Sequence, residues 1–343
     1  MTNKLLRSFV LAGTAFLIVS ATAFQAAAGI AIQANYLDDA GEGFYDSTYG
    51  SDRQTAFEYA LDIWGNALQP TYAGETIVID ARFDSLGGSS TSATLGAASP
   101  NSYHNLNNTN KVMYASALGN HLQGLDITNS GTGSEGQALF NSDIDSDSSV
   151  LTGYSWYYGT DDNAGANQFD FVSTVLHEIG HALGFAGLIE DDGGYDDFSG
   201  QTDGTYYSQY DYFVVRTSDS TPLRNLSEDD RIEAATSDNI SWAGADGVAA
   251  NGGSLVKLYA PGTWEQGSSY SHLDESTFST ELMSPQYTIG TGHEISSLTL
   301  GMMSDMGWSI VVPEPGTFAV WSFMIVTVGI SKRRRRTKRQ HVA

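Results

Sequence analysis

The chain of 343 residues contains no cysteine. This absence excludes disulfide bonds, thiolate metal ligands and cysteine nucleophiles, so any bound metal must be held by nitrogen and oxygen atoms. A chain of this length can bury a core large enough to fold without disulfides.

Basic residues are scarce, with 16 Lys and Arg against 40 Asp and Glu, and the formal net charge is −24. Nine of the 16 basic residues lie in the two ends of the chain, whereas 39 of the acidic residues lie within 29–310. Such an acidic surface repels nucleic acid, so we expect no nucleic-acid partner.

Long hydrophobic runs are confined to the two ends. Lys4 and Arg7 precede a mostly apolar run at 9–24, and the small residues at 26–28 suit a signal peptidase. This pattern predicts a secretory signal over residues 1–28, the alternative being a membrane anchor with a rather short span.

At the other end, VPEPGT (312–317) is followed by an apolar stretch (318–330) and a cluster of Lys and Arg (332–339). The basic cluster predicts that the tail stays in the cytoplasm and that everything before it lies outside. This order of parts resembles the PEP C-terminal sorting signals of Gram-negative bacteria. The resemblance implies a transmembrane helix within 311–343, processing by an exosortase-type enzyme, and a product at the cell surface or released from it.

Residues 177–185 read HEIGHALGF. On a helix His177 and His181 project from one face about one turn apart, which suits two imidazoles that bind one zinc ion. Glu178 is then placed to act as a general base on water. Asp170 is a plausible N-cap, and Gly184 permits the positive φ with which a helix ends. The alternative is a chance match on an ordinary buried helix.

A catalytic zinc ion needs a third protein ligand and an open fourth position. In the metzincins that ligand is a His three residues after the Gly, but here this position is Gly187. With His272 and with Met283 in ELMSP, the chain resembles the leishmanolysin-like metzincins, which insert a long segment before the third His and carry Met in a turn below the metal. The relatives are rich in disulfides, whereas this chain has none.

The resemblance implies an α+β fold of the metzincin type, with a twisted mixed sheet over the active-site helix. It implies a catalytic domain at 29–310 that carries a loop-rich insertion at about 188–271. Zinc is then held by His177, His181 and His272, with Glu178 as the catalytic residue and with Gly184 and Met283 as structural residues near the site.

Other third ligands stay open at this point. His293 is one rival of His272. In a gluzincin arrangement the third ligand is a glutamate, and the candidates are Glu190, Glu228 and Glu233. Tyr287 is a weaker candidate for stabilising an oxyanion. His104 and His121 have no partner spacing and are expected to be ordinary surface or core residues.

Hydrophobic periodicity predicts the surrounding elements. Apolar residues at 57, 61, 64 and 68 form the seam of a helix, and alternation at 76–83 predicts a half-buried strand. Further strands are expected at 112–115 and 137–141, the second as the sheet edge that receives substrate. A helix over 297–306 should end at Gly307.

Acidic clusters raise the question of calcium, whose ligands are oxygens. One cluster contains Asp143, Asp145 and Asp147, and another contains Asp191, Asp192, Asp196 and Asp197. Neither has the spacing of an EF-hand, and solvated acidic loops are the alternative.

The sequence thus predicts a secreted or cell-surface zinc endopeptidase whose partner is a protein or peptide substrate. The alternative from another class is a surface adhesin or matrix protein built on an inactive protease scaffold.

Overall fold

The computed structural model describes residues 29–107, 111–128, 133–195, 206–288 and 292–311. The predicted signal (1–28) and nearly all of the predicted sorting segment (311–343) lie outside these residues. Within the described ranges no helix has the length and apolar character needed to cross a membrane.

The strands of the described residues are β1 (Ala31–Tyr36), β2 (Thr76–Asp84), β3 (Gly96–Pro100), β4 (Tyr103–His104), β5 (Val112–Ala115), β6 (Gly136–Asn141), β7 (Ser155–Tyr157), β8 (Gln168–Asp170), β9 (Tyr207–Ser208), β10 (Val214–Arg216), β11 (Thr221–Pro222), β12 (Ile240–Trp242) and β13 (Val256–Lys257). The helices are α1 (Gly50–Ala67), α2 (Ser116–Gln123), α3 (Asp143–Ser146), α4 (Phe171–Ala182), α5 (Gln209–Phe213), α6 (Glu228–Ala235), α7 (Ala245–Ala250), α8 (Glu275–Phe278) and α9 (Ser297–Met306), with short 3-10 turns at Gly43–Tyr45 and Leu223–Asn225. The predicted mixture of helices and strands is confirmed.

One four-stranded sheet has the order β1-β2-β6-β3. β1, β2 and β6 run parallel, whereas β3 runs antiparallel to β6. The sheet is therefore mixed, as predicted. The expectation that 137–141 forms the edge is wrong, because β6 is paired on both sides and β3 occupies the edge beside it. β3 escapes prediction because its residues, GAASP, are small and show no apolar alternation.

Helices α1 and α4 pack together, and α4 lies against β3 and β6. The predicted seam of α1 is buried, from Phe57 through Trp64 to Leu68. The indole N–H of Trp64 donates to the carbonyl oxygen of Leu176 on α4, at 2.9 Å. Because both groups are buried, this hydrogen bond fixes the two helices against each other.

Phenylalanines fill the space between the sheet and the two helices. The ring of Phe140 on β6 lies 5.8 Å from that of Phe57 on α1 and 4.8 Å from that of Phe171 on α4. All three side chains are fully buried, which stabilises the fold by about 1.5–3 kcal/mol per side chain. The first turn of α4 is thereby anchored in the core.

The segment 188–271, expected to be rich in loops, is more regular than that. It contains an antiparallel sheet of order β11-β10-β12-β13, together with α5, α6 and α7. It shares a core with the rest of the chain, since the ring of Phe185 packs edge-to-face against that of Tyr210. Tyr210 in turn contacts Trp242 on β12. In addition, β9 pairs with β5, and α7 packs against α9.

Candidate metal centre

Helix α4 carries the HEIGHALGF motif. Asp170 is its N-cap, as predicted, and its carboxylate accepts the backbone N–H of Ser173 at 2.8 Å. Most of the helix is buried on all sides, so the histidines lie on an element with little freedom to move.

The end of α4 shapes the site. Gly184 has φ of +105°, a conformation that favours glycine, so its predicted role in ending the helix is confirmed. The N–H of Gly184 bonds to His181 and that of Phe185 to Gly180, which is a Schellman turn. This turn folds the chain back so that the carbonyl oxygen of Phe185 lies 2.7 Å from Nδ1 of His181.

After this turn the chain reaches Gly187, against which the segment that carries His272 packs. A Cβ atom at Gly187 would lie 2.0 Å from the ring of Tyr270, so only glycine fits there. The backbone N–H of Gly187 also donates to the hydroxyl of Ser271 at 3.0 Å. The residue that breaks the simple metzincin pattern is therefore the one against which the segment leading to His272 packs.

The segment around Met283 supports the other side of the helix. The carbonyl oxygen of Leu282 lies 2.6 Å from Nδ1 of His177. Met283 is fully buried, and its sulfur would lie 2.7 Å from a Cβ atom added at Gly180. Met283 thus packs against α4 at Gly180, one residue before His181.

The three imidazoles converge through their Nε2 atoms. The Nε2 atoms of His177, His181 and His272 form a triangle in which each side measures 3.1 Å. Zinc–nitrogen bonds of about 2.0–2.1 Å at tetrahedral angles require about 3.3 Å between ligand nitrogens. The triangle therefore fits three ligands of one zinc ion.

Protonation of the rings agrees with this arrangement. Each Nδ1 faces a carbonyl oxygen, that of Leu282, Phe185 or Ser268, at 2.6–2.8 Å. A carbonyl oxygen only accepts hydrogen bonds, so each Nδ1 carries the proton and each neutral ring presents a lone pair at Nε2. Three lone pairs that meet at 3.1 Å repel one another unless a cation lies between them.

Burial keeps these rings neutral. It lowers the pKa of His181 to about 3, with a further contribution from the nearby His177. Burial is also the main cause that lowers the pKa of His177, and that of His272 falls well below its usual value. Neutral imidazole is the form that binds metal, so the triad is a ligand set near neutral pH.

Glu178 follows His177 on α4, and its carboxylate lies against the edge strand of the sheet. It is only 6% exposed, and burial raises its pKa to about 8. A dication in the triad would lower that pKa, because it favours the charged carboxylate. A Cβ atom at Gly96 on β3 would lie 2.8 Å from Oε1 of Glu178, so the edge strand passes directly over this carboxylate.

The rival third ligands lie elsewhere. His293 bonds to Asp170 at the start of α4, and the hydroxyl of Tyr287 accepts the backbone N–H of Asp170 at 3.0 Å. Asp170 lies seven residues before His177, which is about 10 Å along the helix, so neither side chain is placed to act at the triad. The proposed glutamates, Glu190, Glu228 and Glu233, do not join a metal-binding group within the described residues.

His104 and His121 have ordinary environments, as expected. His104 is half-buried and bonds to Ser102, and buried His121 pairs with Glu75 at 2.7 Å between the two side chains.

The predicted calcium cluster near 143–147 is not assembled. Asp145 forms a buried ion pair with Arg53 at 3.1 Å, Asp143 accepts the N–H of Gly87, and Asp147 accepts that of Ser149. Of the other cluster, Asp191 and Asp192 join no metal-binding group in the described part of the chain, and Asp196 and Asp197 lie outside it.

Several residues of the site escaped sequence reasoning. The carbonyl groups of Phe185, Ser268 and Leu282 act through the backbone, which leaves no trace in side-chain identity. Gly180 offers a weak signal, because glycine inside a helix is unfavourable and indicates a close approach. Gly96 gives no local signal of its place above Glu178.

Comparison of the sequence with protein-family models, with curated proteins and with solved structures finds no match. The resemblance to leishmanolysin-like metzincins therefore depends on the motif residues of the chain itself.

Proposed function

We propose that this chain is a zinc-dependent endopeptidase of the metzincin type, with His177, His181 and His272 as zinc ligands and Glu178 as general base. The observation that carries the proposal is the triangle of three Nε2 lone pairs at 3.1 Å, each oriented by a carbonyl group behind its ring. Three histidines with an open fourth position are an established catalytic set for zinc.

Zinc in this site would supply a Lewis acid that lowers the pKa of water and polarises the scissile carbonyl group. Glu178 takes a proton from the attacking water, whose oxygen bonds to the carbonyl carbon. When the carbon–nitrogen bond breaks, Glu178 donates that proton to the leaving amine. Its place next to His177 in the motif supports this role, because zinc bound there would lower the pKa that burial raises and so favour the carboxylate form that accepts a proton.

The substrate is proposed to bind as an extended strand along β3. In the described residues β3 pairs with β6 on one side only, so its other edge presents free backbone groups. Gly96 on this strand lies against Glu178. A peptide paired with β3 would therefore pass the triad with its backbone held in register.

The end segments complete the proposal. Export by the signal at 1–28, transient anchoring by the C-terminal helix and processing by an exosortase-type enzyme would place the peptidase at or outside the surface of a Gram-negative bacterium. Extracellular proteins and peptides are the substrate class that such a location offers.

The decisive experiment compares Glu178→Gln with the wild-type chain in casein or gelatin hydrolysis and in zinc content. We expect the variant to keep stoichiometric zinc and to lose hydrolysis by about 10²–10⁴-fold, the usual contribution of a general base. Glu190→Gln, which changes an exposed glutamate, is the matched control and should remain active. A wild-type chain that holds zinc but cleaves nothing would instead favour the adhesin.

A further inference from the structure

A second group of metal-binding side chains lies at the other end of α4. Asp162, Asp170 and His293 each offer one ligand atom, and these atoms all lie within 4.8 Å of one another. The group is separate from the zinc triad, since Asp170 precedes His177 by about 10 Å along the helix.

One oxygen of this group lacks a partner. Asp170 is 2% exposed, and its Oδ1 accepts hydrogen bonds from the N–H of Ser173 and from Nε2 of His293, both at 2.8 Å. Its second oxygen, Oδ2, is buried without any hydrogen-bond partner. A buried carboxylate oxygen without a partner is costly, so it points to a ligand that the protein itself does not provide.

The spacing of the group is close to that of a coordination shell. Nε2 of His293 lies 2.8 Å from Asp170 Oδ1 and 4.0 Å from Asp162 Oδ1. Tetrahedral zinc with bonds of about 2.0–2.2 Å requires about 3.3–3.5 Å between ligand atoms. The two observed distances lie on either side of this value, so movements of about 0.5 Å, within reach of small side-chain rotations, would satisfy it.

Three separate segments meet at this point. Asp162 belongs to the loop between β7 and β8, Asp170 begins α4, and His293 precedes α9. Asp162 also has φ of +54°, a conformation that is uncommon for residues other than glycine and that fixes where its side chain starts.

The charges of the group favour a cation. Within the described residues, His293 is the only side chain that forms an ion pair with Asp162 or Asp170. The positive end of the α4 dipole, about half an elementary charge, opposes a cation there, but two carboxylates outweigh it. A set of one imidazole and two carboxylates suits a transition-metal ion better than calcium, which prefers oxygen ligands alone.

We propose that Asp162, Asp170 and His293 form a second binding site for a divalent transition-metal ion, with zinc as the ion tested. The ion would displace the proton that Nε2 of His293 donates to Asp170, and would be bound by that nitrogen, by the Asp170 carboxylate and by Asp162. It would join the loop after β7 and the segment before α9 to the first turn of the helix that carries the catalytic motif.

The test is the zinc content of the full chain, purified without a histidine tag, stripped with a chelator, reloaded with zinc chloride and desalted. We expect about two zinc ions in the wild-type chain and one in a His181→Ala/His272→Ala variant, which retains only the second site. Asp162→Asn and His293→Gln should each reduce the wild-type content to one. His104→Gln, which changes a half-buried histidine outside both groups, should leave it at two.

Thermal unfolding gives an independent readout. In the His181→Ala/His272→Ala background, added zinc should raise Tm, and Asp162→Asn should abolish that rise. Asp162 is exposed, so its substitution is not expected to prevent folding. The proposal is overturned if this background binds no zinc, or if the second zinc ion persists in both Asp162→Asn and His293→Gln.

Discussion

The contact between Gly187 and Tyr270 allows a direct test of how the third histidine is positioned. In Gly187→Ala the new methyl group would lie 2.0 Å from the ring of Tyr270. That ring cannot yield easily, because Tyr270 is 1% exposed and its carbonyl oxygen accepts the hydroxyl of Tyr210 at 2.9 Å. Its backbone N–H donates to the carbonyl oxygen of half-buried Tyr259 at 2.8 Å.

Overpacking of this kind costs about 1–3 kcal/mol. Tyr270 lies two residues before His272, so the strain is relieved mainly by displacing the segment that carries the third ligand. If about 2 kcal/mol is relieved in this way, zinc affinity should fall by about 30-fold, since 1.4 kcal/mol corresponds to a factor of ten. Strain that remains in the fold would instead lower Tm by about 4 °C.

Both quantities are measured on the same protein, zinc affinity by competition with a chelating dye and Tm by calorimetry with and without zinc. Gly262→Ala is the matched control, because a Cβ atom there meets no atom within 4 Å. A second substitution, Tyr270→Leu, should restore part of the zinc affinity to Gly187→Ala by making room. Wild-type affinity and wild-type Tm in Gly187→Ala would refute the reasoning.

Substitutions at three further residues give the remaining predictions. Met283→Ala should lower the free energy of unfolding, measured in urea titrations, by about 2–5 kcal/mol, because it leaves a cavity. Met283→Leu keeps the volume and should lower it by less than about 1.5 kcal/mol. Equal losses in the two variants would contradict the burial of Met283. Arg53→Ala removes the cation that neutralises buried Asp145, which keeps only the neutral donors of Tyr158 and Trp156, and should cost about 3 kcal/mol in the same assay; a loss below about 1 would contradict a buried ion pair. In metal-free protein, folded Glu178 keeps its proton up to about pH 8, whereas the unfolded side chain releases it near 4.5, so wild-type stability falls as pH rises across that window. The Tm of metal-free Glu178→Gln relative to wild type should therefore rise from pH 4.5 to 8 and then level off; a pH-independent difference would contradict the raised pKa.

Parts of the site that depend on local spacing could be predicted from the sequence. His177 and His181 are four residues apart on an apolar segment with a capping Asp170, and such a pattern specifies both a helix and the face that it presents. The positive φ of Gly184 follows from the same local rules. His272 lies 91 residues after His181, and only the resemblance carried by HEIGHALGF and Met283 indicated it.

Parts that depend on tertiary pairing could not be predicted. The edge strand at 96–100 has no hydrophobic alternation, because its residues are small and Gly96 lies against Glu178. The segment at 137–141 is predicted as the edge, but β6 lies inside the sheet between β2 and β3. A strand that passes close to a buried carboxylate lacks, at that point, the side chains by which sequence patterns reveal strands.

His293 shows that residue type alone does not identify which histidine joins the triad. Its residue type fits a zinc ligand, and nothing in its sequence neighbourhood distinguishes it from His272. The difference lies in what each ring meets: the Nδ1 atom of His272 faces a carbonyl oxygen, which leaves Nε2 free to bind metal, whereas Nε2 of His293 faces the carboxylates of Asp162 and Asp170. The orientation of His272 therefore depends on the backbone group behind its ring, the carbonyl of Ser268, which is held by the turn at 268–271, where Tyr270 has a φ of +73° and packs against Gly187.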